Sequence, residues 1–200
     1  MSYDPTGNIR VSTLEKESFY GPVTNQIPYN NPDDQAYGVI NGQSFLQYAD
    51  DKIGLGSYGF SGCAYIAAYN ALQLAGKGKS LAAVTNEIYY DYGSMLFGLW
   101  GVNPVTLAVY LRDQGIISVE TANLNTLVDG ISDGSIVTFT AWNDANNPLC
   151  GWHAMTALYT NGEYWVFNRY SDSSDIWIYP DLSSAINGGT FLYGVRIDPQ

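Results

Sequence analysis

Between residues 62 and 75 the apolar positions fall at helical spacing. Ile66, Ala67, Ala71 and Leu74 make one stripe, with Asn70 set into it. The spacing predicts a helix over 62–75 that ends at Gly76, a residue suited to the left-handed C′ position. Ser80 can cap a second helix over 81–91. Asn103-Pro104 joins a capping side chain to a proline at the first helical position, which opens a third helix running to Gln114 and stopping at Gly115. Asn123 or Asn125 opens a short helix through Ile131, after a short strand at 116–120. Then the pattern changes. Residues 135–142 read SIVTFTAW, rich in β-formers, and residues 152–160 read WHAMTALYT. Asn161-Gly162 is a hairpin turn signal, and EYWVFN returns over 163–168. A strand at 176–179, a short helix at 182–186 and a strand at 190–197 complete the chain. Helices come first and an antiparallel sheet follows, which defines an α+β fold.

The region before the first helix is less regular. Residues 50–62 hold Gly54, Gly56, Gly59 and Gly62, the mark of a tight loop with unusual backbone angles. Residues 43–49 fit either a strand or a short helix. Residues 1–35 are rich in Pro, Asn, Asp and Gly and read as an arm or loops, with a short strand near 24–27. The expected organisation is an arm over 1–39 and one domain over 40–200. A chain of 200 residues can bury roughly 70% of its unfolded surface around a single core.

Charge narrows the function classes. The formal net charge is −11, and the eight Lys and Arg residues are scattered. No basic stripe is present to neutralise phosphates, so nucleic acid and anionic membrane surfaces are poor partners. No run approaches the roughly 20 apolar residues of a membrane span. The N-terminus lacks the basic and apolar regions of a signal peptide, so a cytoplasmic protein is expected unless a signal was removed. Two cysteines do not make a disulfide scaffold.

The candidate chemistry begins at GFSGCAYIAAYNALQLAG, where Cys63 opens the first helix just after Gly62. First-turn N–H groups lack intrahelical partners, and the helix dipole adds about half a positive charge there. Both favour a thiolate, and the Cys63 N–H could also donate to an oxyanion. Gly62 would allow close approach of a substrate. Taken alone, Cys63 reads first as a small buried packing residue. His153 is the only histidine in the protein. A two-residue turn at Asn161-Gly162 would set position 170 across from His153, with Asn168 on the same face as 170. The Asn168 amide oxygen would then lie within reach of the imidazole and fix its tautomer. Taken singly, His153 and Asn168 each have an ordinary structural explanation. Together with Cys63, in that chain order, they form a Cys-His-Asn constellation.

The segments SGCAYIAAYNALQLAGK and GWHAMTALYTNGEYWVFNRYSD resemble the papain-like cysteine peptidases. The likeness is strongest to the compact bacterial branch related to peptidases that cleave double-glycine leaders. It spans roughly residues 40–198. The resemblance implies a papain-like fold in which a Cys-bearing central helix packs on an antiparallel sheet. It implies thiol hydrolysis of a peptide or amide bond without metal or organic cofactor, and a peptide or peptide-like partner. It also implies an oxyanion-hole glutamine upstream of the Cys. The papain position is Ser57 here, a departure. Gln47 is the first candidate and Gln43 the second. Trp152 and Trp142 are candidates to line a substrate cleft, and Asp172 is a fallback third member. Cys150 reads as a packing residue or a neighbour of the site. A Cys63–Cys150 bridge would block the nucleophile, and a zinc site built on both cysteines and His153 would need a carboxylate besides. Acyl transfer, cell-wall peptide hydrolysis and a catalytically silent peptide-binding domain remain as alternatives.

Overall fold

The computed structural model describes residues 2–3, 9–10, 38–46, 49–144, 146, 151–173 and 175–199. Its main sheet has six strands: β1 (Val119–Thr121), β2 (Ile136–Trp142), β3 (Trp152–Thr160), β4 (Glu163–Phe167), β5 (Trp177–Tyr179) and β6 (Thr190–Ile197). They lie in the order β1-β6-β2-β3-β4-β5, and every neighbouring pair is antiparallel. Strands β2 to β5 form a meander, and β6 returns to lie between β1 and β2. The helices are α1 (Tyr58–Ser61), α2 (Cys63–Leu74), α3 (Leu81–Glu87), α4 (Pro104–Asp113), α5 (Leu124–Val128) and α6 (Leu182–Ile186). The fold is therefore a mixed one, with helices and an antiparallel sheet.

The centre of the sheet is buried on both faces. Thr138 and Thr156 face α2, where the Thr156 hydroxyl donates to Ala67 O at 2.8 Å and pairs with the Thr138 hydroxyl at 3.2 Å. The alternate residues Val137, Phe139, Met155 and Ala157 pack on the other side with Leu127 of α5 and Leu182, Ala185 and Ile186 of α6. Double burial explains why β2 reads as a run of β-formers rather than a clean alternation. Helix α2 is buried all round from Cys63 to Leu72. Four of those residues are alanines, which let the helix lie close to the sheet. Each larger side chain such as Ile66 or Leu72 contributes about 1.5–3 kcal/mol through burial. Such a helix is a rigid support for whatever its first turn carries.

The caps agree with the expected boundaries. The Ser80 hydroxyl accepts from Ala83 N, Asn103 Oδ1 from Val105 N, and Asn123 Oδ1 from Thr126 N. Gly76 has φ 67°, and the bonds Gly76 N→Gln73 O and Lys77 N→Leu72 O close α2 as a Schellman motif. Several boundaries differ. Helix α3 stops at Glu87, and Ile88–Tyr92 continues as a wider turn closed by Gly93 N→Ile88 O. The strand expected at 116–120 is shifted to Val119–Thr121, α5 ends at Val128, and the described part of 43–49 holds a 3-10 turn at Gln43–Phe45. The strand expected at 24–27 lies outside the described residues.

Candidate active site

Helices α1 and α2 are nearly continuous. Gly62 joins them with helical angles (φ −80°, ψ −7°), its N–H donating to Tyr58 O and its carbonyl accepting from Ile66 N. A Cβ at Gly62 would overlap Tyr58 O. The glycine is thus required by the packing of α1 on α2. It was expected to admit substrate, but it does not line the cavity at Cys63.

Cys63 is the first residue of α2 and only 8% exposed. Burial pushes its thiol up from the ordinary value; backbone hydrogen bonds from Ala154, Ala64 and Cys63 itself pull it back. The first-turn donors expected to lower the pKa are therefore present, but burial outweighs them. The Ala154 contact also places the sulfur against the main chain of β3, one residue after His153.

The hairpin has the expected register. Thr160 pairs with Glu163 and Thr156 with Phe167. There the ladder ends, because Asn168 takes a left-handed conformation (φ 53°) and turns the chain away. Asparagine tolerates that region better than most residues. The turn aims the Asn168 main-chain carbonyl at the imidazole, and His153 Nε2 lies 2.5 Å from Asn168 O. A carbonyl only accepts, so Nε2 carries the proton and Nδ1 is left as the basic nitrogen. His153 is 9% exposed. Its pKa is held down to about 4: burial is the main cause, the bond to Asn168 O opposes it, and the Arg169 charge adds a smaller lowering.

The Asn168 side chain does not perform the role expected of it. Its Oδ1 accepts from Gln43 N at 3.1 Å, and its Nδ2 donates to Gln43 Oε1 at 3.0 Å. The main-chain donor fixes the amide orientation, which in turn leaves Gln43 Nε2 to donate to Gly59 O at 3.1 Å. Asn168 N donates to Asn41 Oδ1 at 2.6 Å. The strap at 38–44 is held from the other side by Asn70 of α2, which accepts from Ile40 N at 2.8 Å and donates to Ile40 O at 2.9 Å. Asn70 is fully buried. Its place in the apolar stripe is explained by this two-way bond to the strap.

Cys63 and His153 line one cavity of about 360 Å³, together with Gln43, Phe60, Trp100 and Trp152. Trp152 stacks edge-on against Trp100 at 5.8 Å and lies 5.4 Å from Trp142. Gln43, the second oxyanion candidate, is 2% exposed and forms part of the wall. Gln47 and Cys150 lie outside the described residues. Asp172 is exposed and borders a neighbouring cavity that also touches His153. Nothing in the sequence pattern singles out Trp100, Asn41 or Arg169. Trp100 sits in an apolar loop between Gly98 and Gly101, a pattern with no chemical signature. Among the described residues no group of three His, Cys, Asp or Glu could hold a metal, and no helix is long and apolar enough to cross a membrane.

No protein-family model matches the chain, and no curated protein matches it. Among solved structures it is similar to the peptidase domain of Streptococcus ComA, a bifunctional ABC transporter of a quorum-sensing pathway. The identity is 11%, the match covers 70% of this chain and 93% of that one, and the TM-score is 0.47. A likeness at that level does not carry residue roles from one chain to the other.

Proposed function

We propose that the protein is a thiol peptidase or amidase with Cys63 as nucleophile and His153 as its base. The observation that carries this reading is a single cavity walled by the buried thiol and the only histidine, whose tautomer leaves Nδ1 free to accept a proton. As the sulfur bonds to the substrate carbonyl carbon, His153 Nδ1 takes the thiol proton. The Cys63 N–H and the second Nε2–H of Gln43 hold the oxyanion; the first is committed to Gly59 O. When the C–N bond breaks, His153 returns the proton to the leaving amine. Water, deprotonated by His153, then cleaves the thioester and restores the thiol. Asn168 positions His153 through its carbonyl and Gln43 through its side chain. Residues 40–200 form the peptidase domain in this reading. The same acyl-thioester could pass to an amine, so acyl transfer and cell-wall peptide hydrolysis share these steps.

The test is a mechanism-based thiol probe followed by peptide mapping. Modification of Cys63, lost in Cys63→Ala and His153→Ala, supports the reading; modification of Cys150 alone sinks it. One observation favours a second reading, a silent domain that binds peptide in the same cleft. Burial holds the thiol up and the imidazole down, so the neutral pair is the resting form. Acyl-enzyme formation separates the two readings. A silent cleft binds peptide without forming a thioester at Cys63, whereas the working enzyme forms one in single-turnover experiments read by mass.

A further inference from the structure

His153 borders a second cavity, of about 300 Å³, whose walls include Trp142, Met155, Arg169, Tyr170 and Ile186. His153, Asn143 and Ser171 line both cavities, so the two are neighbours with the imidazole between them. Arg169 is 9% exposed. Its guanidinium stacks on Tyr170 at 4.4 Å and reaches the Tyr179 hydroxyl, yet its Nε has no hydrogen-bond partner. Among the described residues the ion pairs are Lys79–Glu87, Arg112–Glu120 and Arg196–Asp198, and none includes Arg169. Taking a guanidinium out of water without a counter-ion is costly, and a planar fork of donors suits a carboxylate best.

The proposed chemistry says which part of a substrate reaches this place. His153 protonates the leaving nitrogen, so the chain that leaves begins at the imidazole. We propose that the Arg169 cavity binds a carboxylate of that leaving fragment, so that the enzyme favours bonds one or two residues before a free C-terminus or before an acidic side chain. This rests on the peptidase reading for its direction, but the binding itself does not require the thiol. The net charge of −11 does not oppose it. Exposed charges are screened over about 8 Å at physiological salt, whereas Arg169 is within contact of the ligand. Among the described residues the titratable groups that line these cavities with His153 are Cys63 from α2 and Arg169, Tyr170 and Asp172 from the segment after β4. A bound carboxylate offsets the Arg169 charge and so raises the imidazole pKa toward the range where it can hold the proton it must deliver.

The experiment uses the full chain and three probes: alanyl-alanine, alanyl-alanine amide and alanyl-glutamic acid α-amide. Binding is read calorimetrically and by the imidazole resonance of the lone histidine, in the wild type and in Cys63→Ala. The free dipeptide is expected to bind both proteins equally and at least tenfold tighter than its amide, and to move the His153 titration to higher pH. If the glutamyl amide also binds, the cavity accepts a side-chain carboxylate; if it does not, the cavity is a C-terminus reader. Arg169→Gln should abolish the preference and Arg169→Lys keep part of it. The wild-type comparison of acid with amide needs neither variant to fold. Equal affinity for acid and amide, or an unmoved imidazole, overturns the proposal. Binding by Cys63→Ala together with no thiol labelling in the wild type would leave this site standing while the peptidase reading fell.

Discussion

The two cavities on either side of His153 differ in what burial does to their reactive groups. On the Cys63 side every group is neutral at rest, and the amides of Gln43 and Asn168 satisfy one another. On the Arg169 side a cation is buried without an ion pair among the described residues. A thiol or an imidazole can escape the cost of burial by losing its charge, as the raised Cys63 and lowered His153 values show. An arginine cannot, because its guanidinium stays protonated. One side therefore stores its readiness in proton positions, the other in an unmet ion pair.

The largest effect expected from breaking this arrangement is at the thiol. Cys63→Ala should lower turnover by roughly 10⁶-fold, the loss seen when a nucleophile is removed and the oxyanion donors remain. Single-turnover kinetics with mass detection of the acyl-enzyme would check it. Gln43→Ala comes next, at about 10²–10³-fold in kcat, the usual loss for one oxyanion donor. A change confined to KM would instead make Gln43 a wall residue.

The third effect is on stability. His153 is held near pKa 4, below its ordinary 6.5. Between those values the unfolded chain binds the extra proton and the folded chain does not. Stability is thus fully present above pH 6.5, falls as pH drops toward 4, and does not change further through this group below that. A gap of that size corresponds to on the order of 3 kcal/mol. In denaturant melts from pH 7 to pH 4 the wild type should lose about that much more stability than His153→Gln. Parallel curves would mean that the imidazole is hydrated.

How much of this was legible in the sequence depended on whether the signal was local. Capping side chains and the Asn161-Gly162 turn act over a few residues, and Ser80, Asn103 and Asn123 cap as expected. The hairpin register followed from the turn alone. What the sequence could not show was where pairing would stop. The left-handed angle at Asn168 exchanged the roles of its side chain and carbonyl, so the imidazole meets the main chain and the amide meets Gln43. The lowered thiol pKa expected from a helix N-terminus failed for a similar reason. Burial is a property of the whole fold, and α2 is enclosed all round. Asn41 went unnoticed because its partner is distant in sequence, and Arg169 because no ion pair among the described residues marks it.

That exchange of roles supplies the fourth prediction. Asn168→Gly keeps the positive φ and the carbonyl while deleting the amide. If the amide acts only through Gln43, the glycine variant loses about tenfold in kcat with an unchanged imidazole titration. The double variant with Gln43→Ala is then no worse than Gln43→Ala alone, since residues in one hydrogen-bonded unit are not additive. A shifted titration in Asn168→Gly would restore the amide oxygen as the group that orients His153.

The smallest effect is expected at Asp172, the remaining carboxylate that the sequence offered as a third member of the triad. It is exposed at the edge of the Arg169 cavity, and His153 Nε2 already has its partner in Asn168 O. An exposed carboxylate contributes at most about 1 kcal/mol to a nearby charge. Asp172→Asn should therefore leave turnover within about threefold. Removing a negative charge at the mouth should, if anything, make the cavity more receptive to an anion. A loss of a hundredfold would mean that Asp172 moves inward on substrate binding, pairs with Arg169 or the imidazole, and makes the two cavities one catalytic unit.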